Sequence, residues 1–251
     1  SLMSASVSNQ SSMRLWGMFS IEFSLTFAIL FFKGHREAQE RLEPLMTKID
    51  FRKTQKALYL PSAKTIELID VPPRQYAMID GKGPPGNDTY IATLEWLYPV
   101  SYGIKIRSKL ELKQDYVVPP LEGLWWAEDY SAYTSDRREE WLWTMMIRLP
   151  DWISQTIFDA CFAKAEIKLG NPPTTLRFKT LHVEQCAQIM HIGTDKDEGP
   201  TIAKIHNQFI PDQGLIENGQ HHEIYNGDPR KTAPEKLRTV LRQPVKARET
   251  A

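Results

Sequence analysis

From Arg74 to Tyr225 one order of elements is written twice. RQYAMIDGKG alternates apolar and polar residues and closes on glycines, a helical stretch follows, and DYVVPPLEGLWW returns as extended chain. Further on, EQCAQIMHIG is again a strand, TIAKIHNQF a short helix, and HHEIY another strand. Few letters match, so the repeat rests on order. Two strand–helix–strand units side by side present their sheets around a common groove, a usual place for a small ligand.

The elements around this repeat follow from local signals. TIELIDVPPRQYAMIDGKG holds two alternating strands separated by Pro72-Pro73. Tyr90 to Lys105 carries Ile91, Leu94, Leu97, Tyr98 and Ile104 at near-helical spacing, with Pro99 as a kink. Trp141 to Leu149 alternates as a strand. Asp151 is the expected cap of a helix over 152–168, with Ile153, Ile157, Cys161 and Ala165 on one stripe. Thr232-Ala-Pro-Glu235 fits a capping box opening a terminal helix, with Leu237, Val240 and Leu241 inward.

Before the repeat, residues 1–12 are Ser-rich and read as a leader. Leu15 to Phe32 is an apolar run interrupted by Glu22. It is long enough to cross a bilayer at about 1.5 Å per residue. The run fits a signal or membrane anchor, a buried helix, or sequence upstream of the working protein. Glu22 and the lack of a small-residue cleavage site weigh against the first. A short amphipathic helix is expected between His35 and Lys48, and an exposed linker over 50–65 with solvated Lys53, Lys56 and Lys64.

Charge and motifs exclude several function classes. The 31 basic and 31 acidic side chains cancel, so no global field draws the chain to nucleic acid or anionic lipid. The basic stretch after Asp228 reads as a solvated helix face. Cys161 and Cys186 are the only cysteines, which excludes a disulfide scaffold and suits a reducing, cytoplasmic setting. His191, His221, His222 and Glu223 suggest a metal by composition, but adjacent histidines on a strand point to opposite faces, so no metal is expected. Gly81-Lys82-Gly83-Pro84-Pro85-Gly86 is a poor phosphate cradle, because its prolines lack N–H donors. No nucleotide motif or nucleophile elbow is present, and no cofactor is expected.

The candidate chemistry is aromatic and acidic. Trp125, Trp126, Trp141 and Trp143 fall within nineteen residues, and Tyr98, Tyr102 and Tyr225 join them. Strand alternation puts Trp141 and Trp143 on one face and separates Trp125 from Trp126. Taken singly each indole suits a core; as a group they suit equally an aromatic-lined pocket for a flat, apolar or cationic ligand. Glu122 and Glu223 stand beside these rings. A carboxylate between aromatic walls has its pKa raised by desolvation and can act as a general base on water. For Glu122 the alternative is a hydrogen-bonded edge residue.

The segments VPPRQYAMIDGKGPP, DYVVPPLEGLWW, WLWTMMIRLPDWI, CAQIMHIG and HHEIYNGDPRKTAPEKLRTVLRQPV together resemble the stand-alone GyrI-like small-molecule-binding proteins. The resemblance covers about residues 50–246, leaving 1–49 as an extension and 247–251 as a tail. It implies an α+β fold, two SHS2-type modules (strand, helix, two strands) related by a pseudo-twofold axis, with antiparallel sheets around a ligand cleft. Relatives often carry a helix-turn-helix domain, but no DNA-recognition helix pair reads in this chain, so regulation of transcription is disfavoured. Part of the subfamily hydrolyses cyclopropane-bearing DNA-alkylating natural products of the yatakemycin and CC-1065 type in an aromatic cage. That resemblance implies Glu223 as the group that activates water, and Tyr102, Tyr225 or His191 as donor to the developing oxyanion. Trp125, Trp126, Trp141 and Trp143 would form the cage, with Tyr98 and Glu122 beside it. A binding module without turnover is the alternative, and a protein that binds a macromolecule such as a topoisomerase a third reading.

Overall fold

The computed structural model describes residues 47–129 and 137–248. The apolar run 15–32, the Ser-rich leader and nearly all of the 35–48 stretch lie outside them. No helix among the described residues is long and apolar enough to cross a membrane.

The fold is mixed, with one large antiparallel sheet and a few helices. Two short helices, α1 (Phe51–Thr54) and α2 (Lys56–Tyr59), precede β1 (Glu67–Val71) and β2 (Arg74–Lys82). The long helix α3 (Asp88–Glu111) then leads to β3 (Leu121–Trp126) and β4 (Leu142–Leu149). Helix α4 (Gln155–Leu169) connects to the second half, which opens with β5 (Arg177–Leu181) and β6 (Glu184–Ile192). A helical passage runs through α5 (Gly199–Lys204), a wider turn over Ile205–Phe209, and α6 (Ile210–Asp212). The short strand β7 (Leu215–Glu217), β8 (His221–Tyr225) and β9 (Arg238–Ala247) complete the chain.

The strands lie in the order β1-β6-β9-β8-β3-β4-β2-β5, with β7 beside β9. Exchanging the two halves reverses that order and leaves it unchanged. The register agrees residue by residue. Leu68 lies opposite Ala187 as Phe178 lies opposite Ala77, and Glu122 opposite Met146 as His222 lies opposite Arg242. Between β3 and β8, Glu122 faces Ile224 and Leu124 faces His222, so the pseudo-twofold axis passes through the Gly123–Glu223 pair. Trp125 and Tyr225 are thereby equivalent positions, as are Glu122 and His222. Each half gives a strand to the other's edge, so neither sheet closes alone.

Alternation divides the sheet into two faces. Helices α3 and α4 cover one half of the first face, burying Trp96, Leu97, Val100, Ile104 and Phe158 against Ala77, Ile79 and Ile147. The α5–α6 passage covers the other half, with Ile205 and Ile210 against Ala187, Ile189 and Leu241. The opposite face is covered by α1 and α2, through Phe51 and Tyr59 against Met190, Ile224 and Val240.

Three sequence expectations are corrected. Residues 50–65 are not a linker, because Phe51 and Tyr59 are buried and the backbone is tied to the sheet by Arg242 Nη2 on Leu58 O (2.6 Å) and Gln188 Nε2 on Ala57 O (2.7 Å). The three lysines do face solvent. The terminal helix is absent. The capping-box residues make one turn over Pro234–Lys236, and 238–247 is a central strand whose middle is buried on both faces. A strand without polar alternation reads like a helix stripe, which is how Leu237, Val240 and Leu241 misled. The cap of α4 is Ser154, whose side chain accepts from the Ile157 N–H, and Ile153 lies before the helix. Pro99 does sit inside α3, and that helix is capped by Asn87.

Candidate functional site

The pseudo-axis carries the site on the helix-covered face, between the two apolar clusters. Trp125, Trp143, Glu223, Tyr225, His191 and Thr239 all point there, because their ladder partners share that face. Trp125 and Trp141 meet edge to face with centroids 6.1 Å apart, and Tyr90 from α3 meets Trp143 at 5.5 Å. The Trp143 ring lies flat over Gly81, its ladder partner, where a Cβ would overlap the indole. Its Nε1 donates to Gly83 O at 3.1 Å.

At the centre, Trp125 Nε1 donates to Tyr225 Oη at 2.8 Å, and Tyr225 Oη donates to Glu223 Oε2 at 2.7 Å. Gly123 makes this possible. A Cβ there would lie 2.8 Å from Trp125 Nε1 and 3.0 Å from Tyr225 Oη. The Glu223 side chain is 14% exposed. Burial pushes its carboxyl up to about 7, with the Tyr225 hydrogen bond opposing and Asp195 adding to the rise. Glu198, at the start of α5, is 4% exposed and pushed up to about 9, first by burial and then by the charge of Glu223. The two carboxyls titrate as a pair, and burial holds both above the usual carboxylate range.

The predicted residues divide as follows. Glu223, Tyr225, Trp125, Trp141 and Trp143 come together on one face. His191 shares that face, but Nε2 lies 3.1 Å from Thr194 O and must donate to it, and Nδ1 lies 3.5 Å from Thr201 Oγ1. Tyr225 likewise has its one proton committed to Glu223. Tyr98 and Tyr102 stand on α3 at the solvent edge, the latter 43% exposed. Trp126 and Glu122 are not in the group. Alternation turns both to the opposite face, where Trp126 packs on the Tyr76, Met78, Leu124 and Met146 cluster and Glu122 is buried against His222. Sequence reading missed Glu198 and Tyr90. Glu198 lies among exposed acids in DKDEGP, and nothing local distinguishes it.

Among the described residues no group of three or more His, Cys, Asp or Glu side chains could hold a metal ion.

The family model of the GyrI-like small molecule binding domain matches residues 64–246. The chain belongs to the GyrI-like family. Solved structures agree with that membership. An uncharacterized conserved protein from Listeria innocua is 38% identical, with a TM-score of 0.73, over 79% of this chain and 100% of that one. A protein from the same organism described as a hydrolase is 36% identical, with a TM-score of 0.69 over 79% of this chain and 100% of its own. No curated protein matches the chain. As a GyrI-like domain, the protein is a binder of small molecules.

Proposed function

We propose that this GyrI-like protein hydrolyses flat, cyclopropane-bearing DNA-alkylating compounds, with Glu223 as the base that activates water. The observation that carries the reading is a partly accessible but largely buried carboxylate, held by Tyr225 beneath Trp125 at the meeting of the two halves. The description of a 36% identical Listeria protein as a hydrolase points the same way.

In the reaction, Glu223 takes a proton from water as the oxygen attacks the strained methylene carbon. The carbon–carbon bond of the three-membered ring breaks, and its electron pair passes into the conjugated dienone, leaving a phenolate. The phenolate takes up a proton from solvent and Glu223 releases the one it took from water, which completes the addition of one water. Tyr225 positions the base. Trp125 and Trp141 supply the edge-to-face wall that aligns the ligand, and Trp143, fully buried over Gly81, belongs to the core.

Incubation of the protein with a spirocyclopropyl-dienone compound should give a product heavier by one water. Saturable quenching of tryptophan fluorescence without that product would favour the second reading, a sequestering module. The family's own description names binding alone.

A further inference from the structure

Glu223 has a second neighbour on its own strand. His221 Nε2 lies 3.7 Å from Glu223 Oε1, the oxygen that Tyr225 does not hold, and the two side chains are 15% and 14% exposed. Both nitrogens of the His221 ring are buried without a hydrogen-bond partner. Burial pushes the ring down to about 3, with the charges of His206 and His222 adding to the fall and Gln243 opposing it, so the ring is neutral. Against it stands His206, with ring centroids 5.8 Å apart and the planes tilted by 43°. His206 is carried by the wider turn over Ile205–Phe209, a kind of turn that is frequent at functional sites. Its Nδ1 lies 2.6 Å from Oε1 of the half-exposed Glu217, and its Nε2 is buried without a partner.

We propose that His221 is a second positioning residue for Glu223, holding Oε1 through its Nε2–H as Tyr225 holds Oε2, with His206 and Glu217 fixing the ring from behind. The assignment rests on the reading of Glu223 as the base that activates water. A neutral imidazole carries one hydrogen and an ionised carboxylate only accepts, so the hydrogen belongs on Nε2. Closing the gap to a hydrogen bond of about 2.9 Å takes less than about 1 Å of movement. Nδ1 is then bare and accepts from His206 Nε2. With its own Nδ1 donating to Glu217, His206 carries a hydrogen on each nitrogen, and the carboxylate balances its charge. That same hydrogen bond holds the Glu217 carboxyl below the usual range. The string pairs all three orphaned nitrogens, as buried polar groups require. Around the Glu223 carboxyl, Glu198 and Asp195 oppose ionisation by like charge and Tyr90 is a neutral phenol, so the donors that favour the ionised base are Tyr225 and His221.

The test uses the full chain and needs no turnover, so it fails separately from the hydrolase reading. With ¹⁵N-labelled histidine, the His221 ring should carry its hydrogen on Nε2 and none on Nδ1 once Glu223 is ionised. With ¹³C-labelled glutamate, the Glu223 carboxyl resonance is identified by its loss in Glu223→Gln. In His221→Phe it should titrate about one pH unit higher, the worth of one hydrogen bond to a charged group. His221→Gln, which keeps an N–H donor, should titrate closer to the unaltered protein. A hydrogen on Nδ1 of His221 in the unaltered protein would overturn the assignment, as would an unmoved Glu223 titration in His221→Phe. The expected shift without any hydrolysed spirocyclopropyl product would keep the positioning role and remove the hydrolase reading.

Discussion

Trp125 and Tyr225 occupy equivalent positions in the two halves of the sheet and are joined across the pseudo-axis by a 2.8 Å hydrogen bond. The axis itself runs through a pair of unlike residues, Gly123 on one side and Glu223 on the other. Symmetric backbones therefore build an asymmetric centre. One half supplies the acid and the phenol that orients it, and the other supplies the indole and the space that both need.

Gly123→Ala tests that space. The added methyl would meet Met145 Cε at 2.7 Å as well as the Trp125–Tyr225 pair. Overpacking of this kind costs about 1–3 kcal/mol. A lower urea midpoint is expected, together with weaker ligand quenching of tryptophan fluorescence. An unchanged midpoint and unchanged quenching would mean that the pair is not closely held.

Tyr225→Phe removes the hydrogen bond that favours the ionised form of Glu223. The Glu223 pKa, raised already to about 7, must rise further. Activity that depends on the carboxylate falls as pH falls, so the acidic limb of the pH–rate profile should move to higher pH. A limb that stays in place would show that another group sets it.

Glu198 gives a stability signature. Its pKa in the folded protein, about 9, lies above its ordinary 4.5. Between those values the folded protein holds a proton that the unfolded chain has released. The contribution is complete below the ordinary value and is lost as pH rises through about 9. Raising the pH from about 6 to about 9 should therefore destabilise the protein, and Glu198→Gln should lessen that loss. Parallel pH profiles from urea denaturation of the two proteins would contradict the assignment.

The two-copy plan was legible because strand alternation and glycine-ended strands survive in RQYAMIDGKG and EQCAQIMHIG without matching letters, whereas the strand order depends on pairings between the halves that no local pattern records. The separation of Trp125 from Trp126 followed from alternation alone. Whether Glu122 lies beside Glu223 did not, because it depends on ladder register: Glu122 faces Ile224, not Glu223. Strand β9 was misread because it is central and buried on both faces, so its pattern loses period two. The β5 edge strand was passed over because RFKTL is half exposed and short. Glu198 acquires its character only from the sheet packed beneath it.

Glu122→Ala separates the two faces. It removes acceptors from His222 and Tyr76, and hydrogen bonds to a charged group are worth about 1.5–3 kcal/mol. A loss of about 3 kcal/mol in denaturation experiments is expected, with ligand quenching of the helical-face indoles unchanged. A selective loss of that quenching at full stability would return Glu122 to the ligand site.

The most direct measurement compares Glu223→Gln with the unaltered protein on one spirocyclopropyl-dienone compound, following product mass and tryptophan quenching together. Removing a general base should lower turnover by about 10²–10⁴-fold, while quenching saturates at a similar ligand concentration. Turnover equal to that of the unaltered protein would contradict the role assigned to the acid at the centre of the sheet.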